Sequence, residues 1–319
     1  MRLLNIWTLQ FRDFGDDELP PYAIASHRWE SSESTYKDVQ QQRHVTKPGF
    51  LKIKGFCELV KRLNPLTSTS QALGDLGMRW RCDWLWIDTV CINKKDGAEL
   101  SEAINSMFRW YGGAAVCYAY PSDVTWSEST TLDLMHSQWH GRGWTLQELI
   151  GAHVYPLVLE LQVLILSTAP RTVVFLAENW MVLGHKCPHG DQVCASVCSG
   201  YGRNINKLLA TATGIPLRVF SFSSCDQLRS VSVEEKLSWT IQRVTTRLED
   251  NAYCLFGLLD LFIPPIYGEG GHAWTRLMQA LEYKHNLSVS RQAGSTSYHC
   301  AHPVDTTYPA AIRECLRRV

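Results

Sequence analysis

Trp84-Leu85-Trp86-Ile87-Asp88 is an unbroken apolar run that ends on a carboxylate. Such a run fits a strand buried on both faces of a parallel sheet, its last residue carried to the carboxyl edge where open α/β sheets bind ligands. Toward the N-terminus, Tyr22-Ala23-Ile24-Ala25-Ser26 follows a Pro20-Pro21 turn and reads as a second buried strand. Between the two, Gly49 to Arg62 spaces Phe50, Ile53, Phe56, Cys57 and Val60 as a helix face. Toward the C-terminus, Glu99 to Tyr111 sets Leu100, Ile104, Met107, Phe108 and Tyr111 on one helical face. Gly112-Gly113 ends that helix, and Ala115 to Tyr120 is a third strand. This β-α-β-α-β order predicts an α/β fold with a mainly parallel sheet flanked by helices.

Trp139 to Ile150 starts a further helix, in which Gly143 frees the backbone, Leu146, Leu149 and Ile150 form the apolar side and Glu148 lies opposite. The second half reads as more helical. Ser232-Val233-Glu234-Glu235 is a capping-box pattern that predicts a helix through about Leu248. Another helix is expected from Asn251 to Leu261, a turn at Tyr267 to Gly271, and a helix from His272 to Lys284, with an irregular tail from Asn286. Arg243, Arg247, Glu249 and Asp250 read as charge pairs along the first of these helices.

The 31 basic and 31 acidic side chains cancel, so no global field favours nucleic acid or an anionic membrane surface. The opening MRLLNIWTLQFRDF is interrupted by Arg12 and Asp13 and is too short for a signal-peptide core. Eleven cysteines scattered among apolar neighbours read as buried thiols of an unexported chain, which predicts a cytoplasmic protein. Val154 to Leu166 contains Pro156 and Glu160 and falls short of the ~20 residues that span a bilayer, so no membrane span is expected. Cys187, His189, Cys194 and Cys198 offer metal-ligand chemistry, but the spacing C-x-H-x4-C-x3-C lacks paired knuckles and no metal centre is assigned to it.

YAIASHRWE (22–30), WIDTVCINK (86–94), ELSEAINSMFRWY (99–111), CYAYPSDV (117–124), RGWTLQELI (142–150), SVEEKLSWTIQRVTTRLEDNAYCLFGLLDL (232–261) and YGEGGHAWTRLMQ (267–279) resemble, in order, the blocks of the fungal heterokaryon-incompatibility (HET) domain. The segment WTLQEL (144–149) is also similar to the catalytic segment of TIR domains, Ser26-His27-Arg28 to the residues after the first TIR strand, and Ile87-Asp88 to the end of the second. These resemblances imply a TIR-like, flavodoxin-like sheet over 20–150, followed by a mainly helical part over 169–285, the whole of 1–285 being one HET domain and 286–319 a tail. They imply a cell-death effector in self/non-self recognition, acting with a homo-oligomer partner or another incompatibility protein.

On the TIR resemblance Glu148 is the catalytic carboxylate of an NAD-cleaving activity that needs no cofactor, NAD being the substrate. Breaking the nicotinamide–ribose bond passes through an oxocarbenium-like sugar that a carboxylate stabilises. Arg28 is a candidate for the dinucleotide's phosphates, and Trp29 and Trp144 for stacking on a base, with Ser26 and Asp88 alongside. Each has a plainer alternative: Glu148 on an exposed helix face, Asp88 capping a turn, His27 and Arg28 satisfying backbone carbonyls at a strand end. A non-enzymatic module that acts by assembly is the competing function. In the HET family the ELI block runs directly into Ala-Pro-Arg and a strand, whereas here the eighteen residues Gly151 to Thr168 intervene. They read as a translated intron that extends or displaces the helix of Glu148.

Overall fold

The computed structural model describes residues 1–63, 82–127, 130–152, 172–188, 194, 198, 200–222 and 224–293. Strands β1 (Arg2–Asn5), β2 (Phe11–Asp13), β3 (Tyr22–His27), β4 (Trp84–Trp86), β5 (Val116–Tyr120), β6 (Thr172–Leu176) and β7 (Val182–Lys186) form one sheet in the order β2-β1-β4-β3-β5-β6-β7. β4, β3, β5 and β6 are parallel. Their apolar runs bury both faces, as a strand covered by helices on each side requires. The chain lays down β3, adds β4 on one side and then crosses to β5 on the other, which puts the reversal of winding between β3 and β5. Antiparallel strands close both edges, β1 beside β4 and β7 beside β6.

Among the described residues of the first half, six helices pack around these strands: α1 (Tyr36–Gln40), α2 (Pro48–Leu63), α3 (Asp88–Cys91), α4 (Gly97–Gly113), α5 (Thr130–His136) and α6 (Trp144–Gly151). Because side chains alternate along a strand, His27 and Ser26 face opposite sides of the sheet. On the His27 side, the α2 residue Phe56 meets His27 and Tyr120 with ring centroids 6.1 and 5.9 Å apart. On the Ser26 side, Trp86 of β4 meets Trp110 and Tyr111 of α4 at 5.5 and 5.9 Å, and α6 packs on α4 and β3.

The α/β architecture agrees with expectation, and the differences have local causes. The N-terminal apolar run is a strand whose Leu3 and Leu4 are fully buried, so the sheet takes in chain on both sides of residues 20–150, with β6 and β7 lying beyond them. The Ser232 hydroxyl accepts from the Glu235 N–H at 3.1 Å, but Glu235 turns to Arg218 instead of back to the cap, and the helix stops at Ser238. The helix expected over 251–261 is a single turn, Asp250–Tyr253. The helix from His272 continues to Ala293 rather than yielding to irregular chain at Asn286. Apart from Gly151 and Ala152, the insertion 151–168 lies outside the described residues, as do the apolar run 154–166, His189 and the chain after 293. Among the described residues no helix is long and apolar enough to cross a membrane.

Gly143 is helical, with φ −56° and ψ −51°, so the motif does not use glycine for backbone freedom. It uses glycine for close approach. The Gly143 N–H donates to the Val244 carbonyl at 2.9 Å, and a Cβ would stand 2.5 Å from Thr245 Cγ2 and 3.2 Å from Cys254 Sγ. Gly143→Ala is expected to lower stability by about 1–3 kcal/mol through this overpacking. Urea unfolding measures it, and an unchanged midpoint would mean that the 244–245 segment gives way.

Candidate functional site

At the carboxyl end of β3, Ser26 is fully buried and its hydroxyl donates to Glu148 Oε2. Ser26 Oγ also accepts from Trp139 Nε1 at 3.0 Å. One hydroxyl thereby ties together strand, turn and helix. Glu148 is 6% exposed, and every residue from Thr145 to Gly151 is buried with it, which corrects the exposed-face alternative for this glutamate. Burial disfavours its charged form, the Ser26 hydrogen bond offsets part of that and Asp88 adds to it, so its pKa is pushed up to about 8. A glutamic acid near neutrality is the chief chemical resource of the site.

Glu148 lines a cleft of about 420 Å³, mouth included, with Trp29, Asp88, Arg142, Trp144, Asp250 and Tyr267 among its other walls. Of the residues singled out in the sequence, Trp29, Asp88, Trp144 and Glu148 share this cleft, and Ser26 stands behind it as partner of Glu148. Asp88 opens α3 two residues beyond β4, and its Oδ2 accepts from Trp29 Nε1 at 2.7 Å, so its carboxylate serves Trp29 rather than a turn. Trp29 is 41% exposed, and the Lys94 ammonium lies 3.3 Å and the Arg142 guanidinium 4.9 Å from its ring centroid.

Arg28 lies outside the cleft lining and reaches Gln138 across the exposed rim, whereas Arg142 lines the cleft and the Lys94 ammonium stands over the Trp29 ring. His27 is buried between two carboxylates, Nε2 3.7 Å from Glu33 and Nδ1 3.9 Å from Asp88, and neither ring nitrogen meets a hydrogen-bond partner. It therefore serves no backbone carbonyl.

The far wall comes from the second half. Asp250 accepts from Trp144 Nε1 at 3.1 Å and from the Tyr267 hydroxyl at 2.9 Å. Arg243 donates to the Arg142 carbonyl and to Thr145 Oγ1, each at 3.0 Å. Glu249 accepts from the Gly268 N–H at 2.8 Å. The expected charge pairing along a helix is thus replaced by bonds to the RGWT segment and to the 267–270 turn. Arg142, Asp250 and Tyr267 all stand inside blocks legible in the sequence, but their convergence on one cleft is visible only in three dimensions.

Residues 22–133 match the family described as heterokaryon incompatibility protein (HET). The match takes in Ser26, Trp29 and Asp88 and ends before Trp144 and Glu148. The chain is also 35% identical over 268 residues, 81% of its length, to the vegetative incompatibility protein HET-E-1 of Podospora anserina, and it spans 16% of that protein's length. No solved structure matches it.

Because the pKa of Glu148 is raised on folding from 4.5 to about 8, its protonated form contributes stability in full below about pH 4.5. That contribution is lost as pH climbs toward and through about 8. Between those limits wild-type stability is expected to fall, relative to Glu148→Gln, by about 1.4 kcal/mol per pH unit. Urea denaturation from pH 5 to 9 measures the difference, and a constant gap across that range would show an ordinary carboxylate.

Proposed function

We propose that this chain, which carries a heterokaryon-incompatibility domain, is the effector module of an incompatibility reaction and cleaves NAD at the nicotinamide–ribose bond, with Glu148 as the catalytic carboxylate. The biological half rests on the family match and on the relative's name. The chemical half rests on one observation, a buried glutamic acid held by a serine hydroxyl in an aromatic-walled cleft.

The nicotinamide ring of NAD is cationic until its bond to ribose breaks. Trp144, Tyr267, Asp88 and Asp250 are walls that suit such a ring. A cation brought beside Glu148 favours ionisation of the carboxyl, opposing the burial that keeps it neutral in the free protein. As the C1′–N bond breaks, its electron pair leaves with neutral nicotinamide and the positive charge passes to the sugar, where the carboxylate stabilises it. Water then adds at C1′ and releases a proton, giving ADP-ribose. Arg142, which lines the cleft, and Lys94, over the Trp29 ring, would supply positive charge for phosphate oxygens.

A second function is assembly with another copy or another incompatibility protein, for which Val244 and Phe262, 71% and 80% exposed, offer apolar contacts.

Purified chain incubated with NAD is expected to release nicotinamide, and Glu148→Ala to reduce kcat at least about a hundredfold. Since ionised Glu148 is the active form, kcat/KM should rise about tenfold per pH unit and level off above about pH 8. Equal release by wild type and Glu148→Ala removes the catalytic role. For assembly the counterpart is toxicity on expression: if it survives Glu148→Ala and disappears with Phe262→Asp, the module acts by association and not by hydrolysis.

A further inference from the structure

Away from the cleft, at the opposite edge of the sheet, His185, Cys187, Cys194 and Cys198 are all buried and bring their ligand atoms within 4.8 Å of one another. Two local geometries assemble them. His185 lies on β7 and Cys187 two residues on, where an extended chain returns to the same face. The Cys198 N–H donates to the Cys194 carbonyl at 2.9 Å, an i to i+4 bond that sets the two cysteines side by side. We propose that these four side chains form a structural zinc site, His185 Nε2 with the thiolates of Cys187, Cys194 and Cys198.

Ligand number, type and surroundings support that assignment. Three soft thiolates and one imidazole closing around a point, with no position left for water, make the donor set of a structural tetrahedral zinc. Zinc bonds of about 2.0–2.3 Å place tetrahedral ligand atoms about 3.5–3.8 Å apart. Here His185 Nε2 lies 3.0 Å from Cys194 Sγ, the Cys187 and Cys194 sulfurs lie 3.3 Å apart and all four ligand atoms lie within 4.8 Å, so movements of about half an ångström to one ångström admit the ion.

The supporting groups are also in place. His185 Nδ1 lies 3.2 Å from the Tyr201 carbonyl, which can only accept, so Nδ1 carries the proton and Nε2 turns its lone pair to the sulfurs. The Asn204 amide donates toward Cys187 and Cys194 at 3.7 and 3.9 Å, and the Thr172 hydroxyl lies 3.7 Å from Cys198. With His189 taken as the imidazole the sequence assigns no metal centre, and His189 lies outside the described residues. The strand supplies an imidazole from the other side of Cys187, as H-x-C-x6-C-x3-C.

The ion would pin the edge strand to the chain that follows it, where the His185 N–H already donates to the Arg203 carbonyl and the His185 carbonyl accepts from the Ile205 N–H, both at 2.9 Å. A closed sheet edge and a fixed start for the helix Asn206–Thr213 are the result.

The full chain, purified under reducing conditions without added metal, is expected to hold one zinc per molecule by elemental analysis. Exchange with cobalt should give the visible bands of tetrahedral cobalt and an intense near-ultraviolet thiolate charge-transfer band. His185→Ala and Cys198→Ser should each lose that signature, while His189→Ala keeps it. Because a ligand variant can fail to fold, the wild-type titration stands by itself: folded protein that takes up neither zinc nor cobalt under reducing conditions overturns the site. Loss with His189→Ala and retention with His185→Ala overturns the choice of ligand.

Discussion

A single hydroxyl, that of Ser26, holds the candidate site together by accepting from the Trp139 indole and donating to Glu148. Buried carboxyl groups are tolerated only when hydrogen-bonded or neutral, and Glu148 is brought close to both conditions. Neither partner is local, for Ser26 precedes Glu148 by 122 residues and Trp139 by 113. The bond therefore exists only if β3 is central, if α6 crosses its carboxyl end and if the turn before α6 brings Trp139 inward. Much of the topology can be seen as what this bond requires.

The second half supplies the restraint that α6 lacks. A helix of eight residues without a side-chain cap has little stability of its own. Arg243 occupies carbonyl and hydroxyl acceptors at its first turn, Val244 accepts from Gly143, and Asp250 holds Trp144 and Tyr267 together. The sheet presents the carboxyl group, and the chain after Ser232 fixes the angle at which it is presented. The two parts share one cleft.

The parallel core is legible in the sequence because β3, β4 and β5 are buried on both faces and read as unbroken apolar runs between strongly periodic helices. The edge hairpin is not, since its strands are three and four residues long and β2, Phe-Arg-Asp, is mostly polar. In the second half a capping signal marks where a helix begins but not where tertiary bonds end it, and at Trp239 the chain turns to place Arg243 beneath Gly143. Charge alone assigns Glu148 to a surface and Arg243 and Asp250 to pairing along a helix, because Ser26, Arg142 and Trp144, which bind them, lie about a hundred residues away. His185 is hidden for a related reason: its imidazole meets the cysteines through strand alternation that a knuckle spacing does not encode.

The walls of the cleft are gathered from Trp29 at one end of the chain to Tyr267 near the other. Protein synthesis delivers them in that order. A nascent chain that has exposed RGWTLQEL but not yet the Asp250 and Tyr267 blocks carries Glu148 on an unrestrained helix with one side of its enclosure missing. A cell making this protein therefore holds no finished cleft until nearly all of the described domain has left the ribosome, and products that stop short of that turn are incomplete by construction.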